Sequence, residues 1–224
     1  TYIAGLEDGS IDLIPEYTGA LTLYFNQDAE ATESEAVYAE LQEALPENLT
    51  VLEPSAAEDK DAVVVTSETA SELGLTAIGD LAPHAPDLVL GGPPEWAERY
   101  TGVPGLSEVY GLEFSSFRPL QAGSNLTVQA LVNGQIDAGN IFTTDPAIAE
   151  NDLVVLEDPE SLFAAQNIVP LITTEALNPT IEERLNEVSA ALTTEELSTL
   201  MSAVVTDGED PAEVARQFVD DSLG

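Results

Sequence analysis

The chain has 224 residues, enough for one large domain or two small ones, and a hydrophobic fraction of 44% argues for a packed core rather than disorder. Lys and Arg number 5 against 42 Asp and Glu, a formal net charge of -37, which excludes nucleic acid as a partner because phosphate contacts need a basic surface. Zero cysteines exclude disulfides, thiolate metal sites and cysteine nucleophiles, and the longest apolar runs are of strand length, too short for a transmembrane helix.

In chain order, Thr1-Tyr-Ile-Ala-Gly5 reads as the tail of a helix whose start lies upstream. Gly9 ends that helix, since glycine tolerates the positive φ of a C′ position. Ile11 to Ile14 is an apolar run suited to a buried strand, and Pro15 is expected to stop its ladder for want of an N–H. Thr18 and Gly19 then open a helix over Ala20 to Phe25. Glu16, Tyr17 and Thr18 thereby fall at a strand's carboxyl end and a helix N-terminus, where open α/β sheets bind ligands. An ordinary strand-to-helix turn with a half-buried Tyr17 fits the spacing equally well.

Glu33 to Leu45 carries Ala36, Val37, Leu41, Ala44 and Leu45 at helical spacing before Pro46. Short strands are predicted over Thr50 to Leu52, Ala62 to Thr66 and Asp87 to Leu90, and a short helix over Thr76 to Leu81. Gly91-Gly-Pro-Pro94 reads as a break, with Pro94 opening a helix through Tyr100. Leu112 to Leu120 reads as a strand, and Ser124 as the cap of a helix through Val132. Leu131-x-x-Gly134-x-Ile136-Asp137 repeats Leu6-x-x-Gly9-x-Ile11-Asp12, and leads into Ala138 to Phe142 and the polar turn Thr143-Thr-Asp145 before Pro146. Two such helix–Gly–strand–turn units point to two similar α/β lobes. Strands follow at Leu153 to Leu156 and Ile168 to Ile172, then helices at Thr180 to Leu192, Thr194 to Val205 and Pro211 to Val219. Thr193-Thr-Glu-Glu196 has the capping-box form, and Asp210 caps the last helix. Strands alternating with helices predict α/β layers with mostly parallel sheets.

Signals for catalysis are scarce. His84, the single histidine, lies between Pro83 and Pro86 in a loop, and no nucleophile elbow, phosphate loop, dinucleotide fingerprint or zinc-protease motif occurs. Signals for binding are richer. Asp59 and Asp61 precede the strand Ala62 to Thr66, and Thr143, Thr144 and Asp145 occupy the second repeat's turn. Asp145 equally suits an N-cap ahead of Pro146. Arg99, one of few cations, follows Trp96 and fits either a ligand carboxylate or a salt bridge to an abundant acid. Gln166 and Asn167 interrupt an apolar segment as hinge-facing polar residues do.

Ile11-Asp-Leu-Ile-Pro-Glu-Tyr-Thr-Gly19 resembles the signature of the glycine betaine/carnitine/choline-binding proteins of ABC importers. The resemblance continues through Gly91-Gly-Pro-Pro-Glu-Trp-Ala-Glu-Arg99, Pro104 to Phe114, Phe142-Thr-Thr-Asp145, Leu153 to Asp158 and Leu192-Thr-Thr-Glu195. It implies a type II periplasmic-binding-protein fold: a first lobe of residues 1–62 and 166–224, a second of 63–165, two crossover strands, and capture by hinge closure. A strand and helix are then expected before residue 1. The family holds a quaternary ammonium in a cage of tyrosines by cation–π attraction, with an arginine for any carboxylate. Carried over, Tyr17 matches a cage tyrosine, Arg99 the arginine, and Thr143-Thr-Asp145 a cleft-lining turn; with Thr18, Asp61 and Gln166 these form the expected ligand set.

The resemblance further implies no catalysis, no cofactor, a monomer, permease subunits as partners, and an extracytoplasmic place in the periplasm or at the cell surface, with a free protein, a lipid anchor through a preceding segment and fusion to a permease all open. The departures bear on the ligand. Asp59-Lys-Asp61 replaces an asparagine-threonine-tyrosine run, and Ala164-Ala-Gln-Asn167 stands where another cage tyrosine follows Phe163. Asp61 compensates by charge for a cationic ligand. Gln166 suits a more polar one, so an amino-acid derivative or thione-betaine such as ergothioneine is the alternative ligand. A carboxylate-dependent hydrolase on the same fold is a third, weaker reading.

Overall fold

The computed structural model describes residues 2–120 and 125–223. In chain order the elements are α1 (Tyr2–Glu7), β1 (Leu13–Tyr17), α2 (Thr18–Phe25), α3 (Ser34–Ala44), β2 (Leu49–Val51), β3 (Asp61–Thr66) and α4 (Ser67–Leu73). There follow β4 (Val89–Gly92), α5 (Val103–Tyr110), β5 (Ser116–Pro119), α6 (Leu126–Val132), β6 (Ala138–Phe142), α7 (Ala147–Glu150) and β7 (Leu153–Val155). The last are β8 (Ile168–Thr173), α8 (Pro179–Ala191), α9 (Thr194–Val205) and α10 (Pro211–Leu223), and short 3-10 turns cover Ile78–Leu81, Ala85–Asp87 and Pro94–Ala97. The chain divides into two compact units, Thr1–Asp59 with Ala164–Gly224, and Lys60–Phe163.

The first unit is built on a three-stranded sheet, β1-β8-β2, with β8 antiparallel to both neighbours. Ile3 and Leu6 of α1, Leu21 of α2 and Leu41 of α3 pack on Leu49, Val51, Val169 and Leu171 of the strands. The C-terminal helices begin as their side chains dictate. Asn178 accepts from the N–H groups of Thr180 and Ile181, Thr193 from that of Glu196, and Asp210 from those of Ala212 and Glu213.

Pro15 does not stop β1; it sits at the strand's centre, opposite Pro170 of β8. The carbonyl of Pro170 accepts from Leu52 N–H on the β2 side, so Pro170 turns its polar backbone away from β1. The facing prolines are therefore a non-hydrogen-bonded pair, and the N–H that Pro15 lacks would have pointed outward from an edge strand. The strand accordingly runs to Tyr17 instead of ending at Ile14.

The second unit carries a five-stranded sheet in the order β5-β4-β6-β3-β7. β4 is parallel to β5 and β6, whereas β3 is antiparallel to β6 and β7. Both faces of β3 are covered: Val63 and Val65 enter one core cluster with Trp96, Leu106 and Phe163, and Ala62 and Val64 another with Val128, Leu131 and Ile136. A strand buried on both sides reads as a continuous apolar run, which Ala62-Val-Val-Val is.

The expectation of mostly parallel sheets is thus corrected to one antiparallel and one mixed sheet. Its cause is the chain path. β8 follows the return into the first unit, where Asn167 forms an antiparallel bridge with the outgoing Glu58. It therefore enters antiparallel to β2 without a helical crossover. Gly91 and Gly92 are likewise strand residues of β4 rather than a break, and the helix expected through Tyr100 is only the turn Pro94–Ala97. Two helices have no counterpart in the sequence reading. α4 buries only Ala70, leaving no apolar period to detect, and depends on Thr66 accepting from Thr69 N–H and on Gly74 in the left-handed region. α5 opens on Val103-Pro-Gly, a turn-like phrase in which the proline serves the helix N-terminus. The predicted Ser124 cap lies outside the described residues.

The repeated phrase has a structural meaning. Gly9 and Gly134 both take left-handed backbone, at φ 75° and 62°. The next residue donates back to the third-last helical carbonyl in each copy, Ser10 to Gly5 and Gln135 to Ala130. Both are Schellman-type helix ends. Held in this register, the repeat extends beyond its four obvious matches. Leu13–Tyr17 aligns with Ala138–Phe142, and Thr18 with Thr143.

Candidate functional site

In the first unit the expected residues gather around the start of α2. Tyr17 ends β1 with 38% of its surface exposed, and its hydroxyl donates to Asp59 Oδ2 at 3.0 Å. Burial of the ring, and then the Asp59 charge, push the phenol up to about 12, so the ring stays neutral at ordinary pH. Tyr17 offers α2 no side-chain cap. Gln166 supplies it, its Oε1 accepting from Ala20 N–H at 3.0 Å. Thr18 is fully buried. Its Oγ1 accepts from Asn167 N–H at 3.1 Å and its own N–H donates to the Asn167 carbonyl at 2.9 Å. Thr18 is therefore a brace that fixes residues 165–167 against the Tyr17 turn. Asn167 is fixed in addition by Ser34 Oγ at 2.6 Å, and its Nδ2 donates to the Ser55 carbonyl at 3.0 Å.

In the second unit Asp61 opens β3 with both carboxylate oxygens engaged. Oδ2 accepts from Arg99 Nη2 at 3.1 Å, and Oδ1 from Asn140 Nδ2 at 2.9 Å. The Asp61 side chain is only 12% exposed against 52% for Arg99. The structure thus pairs two groups that the sequence assigned separately, to a ligand's cation and to its carboxylate. Register places Phe142 opposite Asp61, and Asn140 opposite Val63, on one face of the β3–β6 pair. Phe142 remains 43% exposed.

Thr143 donates its N–H to the Lys60 carbonyl at 3.0 Å and accepts from Lys60 N–H on Oγ1 at 3.2 Å. This is the same reciprocal pair that Thr18 makes with Asn167. Thr144 is buried, and Asp145 Oδ1 accepts from Ala147 N–H at 2.9 Å, a turn bond to the residue two ahead, while Pro146 and not Asp145 occupies the N-cap of α7. A cavity of about 250 Å³ is lined by Lys60, Asp61, Thr143, Asp158 and Phe163 among others. Phe163 stacks on Trp96 with ring centres 5.7 Å apart and planes 17° apart. Asp158 holds the Phe163 loop by accepting from the N–H groups of Leu162 and Phe163 and from the Tyr110 hydroxyl.

The arrangement offers aromatic faces, carboxylates and a guanidinium, a chemistry of charge recognition. His84 stands apart, partly buried in the run of 3-10 turns before β4. Asn140, Phe142 and Asp158 were not singled out by the sequence reading. A polar Asn140 inside an otherwise apolar strand was the available signal.

A family profile described as the substrate binding domain of ABC-type glycine betaine transport system matches residues 1–221. The chain belongs to this family. The family's members are extracytoplasmic solute-binding components of ABC importers, and the fold is that of type II periplasmic binding proteins. A glycine-betaine-binding protein of Pseudomonas aeruginosa is 28% identical over 230 residues, 96% of this chain and 73% of that protein. The carnitine transport binding protein OpuCC of Listeria monocytogenes is 28% identical over 159 residues, 70% of this chain and 51% of that protein. Among solved structures, one described as a glycine betaine/carnitine/choline ABC transporter superposes with a TM-score of 0.92 at 27% identity, covering 98% of this chain and 82% of that one. Among the described residues no helix is long and apolar enough to cross a membrane.

Proposed function

We propose that this protein captures a quaternary ammonium compatible solute of the glycine betaine, choline or carnitine type and delivers it to the permease subunits of an ABC importer. Capture proceeds by closure of the two units, without catalysis or cofactor. The observation that carries the reading is Tyr17: in a chain of this family, an aromatic ring left 38% exposed and tethered through its hydroxyl to Asp59. A tetraalkylammonium has no N–H to donate, so it is recognised by ring faces and nearby negative charge rather than by hydrogen bonds. Both are present at the end of β1. Arg99, half-exposed and bound end-on to Asp61, is the guanidinium available to a ligand carboxylate.

The test is a thermal-shift panel of glycine betaine, choline, carnitine and ergothioneine, repeated on Tyr17→Ala. Ligand at 100 times its dissociation constant adds about 2.7 kcal/mol of stability, a readily measured shift. A shift with glycine betaine, choline or carnitine that Tyr17→Ala abolishes supports the proposal. A Tyr17→Ala protein with undiminished affinity refutes it. The second reading, a more polar amino-acid derivative or thione-betaine, is favoured by the Gln166 amide seated over the start of α2. A shift with ergothioneine alone decides for it.

A further inference from the structure

Asparagine stands two residues before a threonine in Asn48-Leu-Thr50, Asn125-Leu-Thr127 and Asn178-Pro-Thr180. Asn-x-Ser/Thr, with any middle residue but proline, is the acceptor pattern for N-linked sugar on chains outside the cytoplasm, where this family's members work. The structure separates the three. Asn178 is excluded twice, by the proline that follows it and by its carboxamide, which caps α8 through the N–H groups of Thr180 and Ile181. Asn125 is the N-cap of α6, and its Thr127 is buried with the side-chain methyl against Gly139, out of reach of an enzyme that must read the hydroxyl.

Asn48 meets each condition. It lies exposed in the turn between α3 and β2, and among the described residues its carboxamide makes no hydrogen bond. Six of the nine asparagines, Asn26, Asn140, Asn151, Asn167, Asn178 and Asn186, do use theirs to hold the chain. Thr50 is partly exposed on β2, an edge strand, and its hydroxyl meets only that of Thr174 at 3.0 Å. An open groove of about 610 Å³ adjoins Asn48, and Asp8, Asp12 and Glu175 line it with carboxylates, acceptors for sugar hydroxyls. Register keeps this turn away from the candidate ligand site. On β8, Leu49 pairs with Thr173 and Tyr17 with Ile168, which are about 17 Å apart along the strand.

We infer that Asn48 is an N-glycosylation site. The acceptor atom is its Nδ2, and the donor is an oligosaccharide joined through its anomeric carbon to a lipid pyrophosphate. The carbon–nitrogen bond forms as the bond from the anomeric carbon to the phosphate oxygen breaks. The lipid pyrophosphate leaves with the electron pair, and the amide nitrogen gives up one proton. The Asn48 carbonyl keeps the bond it accepts from Thr174 N–H, so the turn carries the sugar without refolding. Bulk at this point also shields the edge of β2 from strand addition by another chain.

Lys60 is the single lysine, so a lysine-specific protease cuts the chain once and separates Asn48 from Asn125. Protein isolated from its native host is cut in this way, and both fragments are analysed by mass spectrometry. The fragment ending at Lys60 is expected to be heavier than its sequence by whole sugar residues, with fragment spectra placing them on Asn48. Among variants made in the same host, Asn48→Gln and Thr50→Val are expected to return that fragment to its sequence mass. Thr50→Ser keeps the hydroxyl and is expected to keep the sugar, and thermal melting of each variant checks folding. A wild-type fragment at its sequence mass, or sugar on the other fragment alone, overturns the inference. Sugar that persists on Asn48 in Thr50→Val overturns it as well, because attachment would then not follow this pattern.

Discussion

Gly19→Ala is a substitution for which the structure predicts the opposite sign from helix propensity. Gly19 lies in the first turn of α2, and glycine-to-alanine changes inside helices ordinarily stabilise by about 1 kcal/mol. Here an added Cβ would stand 2.6 Å from the Ala165 carbonyl oxygen and 2.9 Å from Gln166 Nε2. A backbone oxygen at that distance has to move, and the segment carrying it is pinned. Thr18 holds Asn167 at both N–H and carbonyl, Asp59 N–H donates to the Gln166 carbonyl at 3.2 Å, and Ser55 and Ser34 hold the Asn167 amide. Relief requires stretching at least one of these bonds, each worth about 1 kcal/mol, on top of the strain of overpacking. The expected loss is about 1–3 kcal/mol, a fall in melting temperature of about 2–10 °C for a chain of this size. Ligand affinity should fall with it, since Tyr17 and Gln166 flank the clash. Scanning calorimetry on wild type and Gly19→Ala measures the first effect and titration with the captured solute the second. Gly79→Ala is the control, because its added Cβ would meet only Tyr110 Cδ1 at 3.6 Å, an ordinary contact. A Gly19→Ala protein as stable as wild type, or more so, refutes the reasoning.

Asp158→Ala strips the acceptor from the N–H groups of Leu162 and Phe163 and from the Tyr110 hydroxyl, with an expected loss of about 2–4 kcal/mol. It should also loosen the Phe163 stack on Trp96, the single tryptophan, so intrinsic fluorescence reports the change directly. Tyr17 has its phenol raised from 10.0 to about 12 in the folded protein. The stability linked to that shift is fully present below about pH 10 and lost as pH climbs through about 12. Tyr17→Phe should therefore show a shallower fall in melting temperature than wild type over that window, with the remaining slope owed in part to Tyr110, whose phenol is also raised. Arg99→Gln should weaken glycine betaine about tenfold or more relative to choline in parallel titrations, because only the former brings a carboxylate to the guanidinium.

What the sequence revealed was local. The caps at Asn178, Thr193 and Asp210 act on N–H groups two or three residues away, and the apolar run of β3 carries its burial in its own composition. What it concealed was set by distant partners. Whether Pro15 ends or continues a strand depends on which side of the ladder its missing N–H faces, and that is fixed by Pro170. The cap of α2 comes from Gln166, 146 residues from Ala20. Arg99 had 42 acids to choose from, and nothing in its neighbourhood singled out Asp61, 38 residues away. Which residue types stand at the candidate site could be read from the sequence, and which of them pair with one another could not.

The two threonines show why the pairing matters for function. On the proposed function, in which the two units close on the ligand, the aromatic faces must be fixed relative to the segments where the chain passes between units, or closure would not carry the rings with it. Thr18 and Thr143 each make that connection with one side chain and one backbone N–H, and each follows directly on a ring. Serine at either position retains the hydroxyl and valine retains the shape. The valine variant alone leaves the Asn167 or Lys60 N–H without its acceptor, at a cost of about 1–3 kcal/mol where that group is buried. If the braces serve only stability, Thr18→Val and Thr143→Val lower the melting temperature and leave solute affinity intact. If they position the rings, affinity falls in both valine variants and is kept in both serine variants. The matched geometry of the two braces predicts the second outcome.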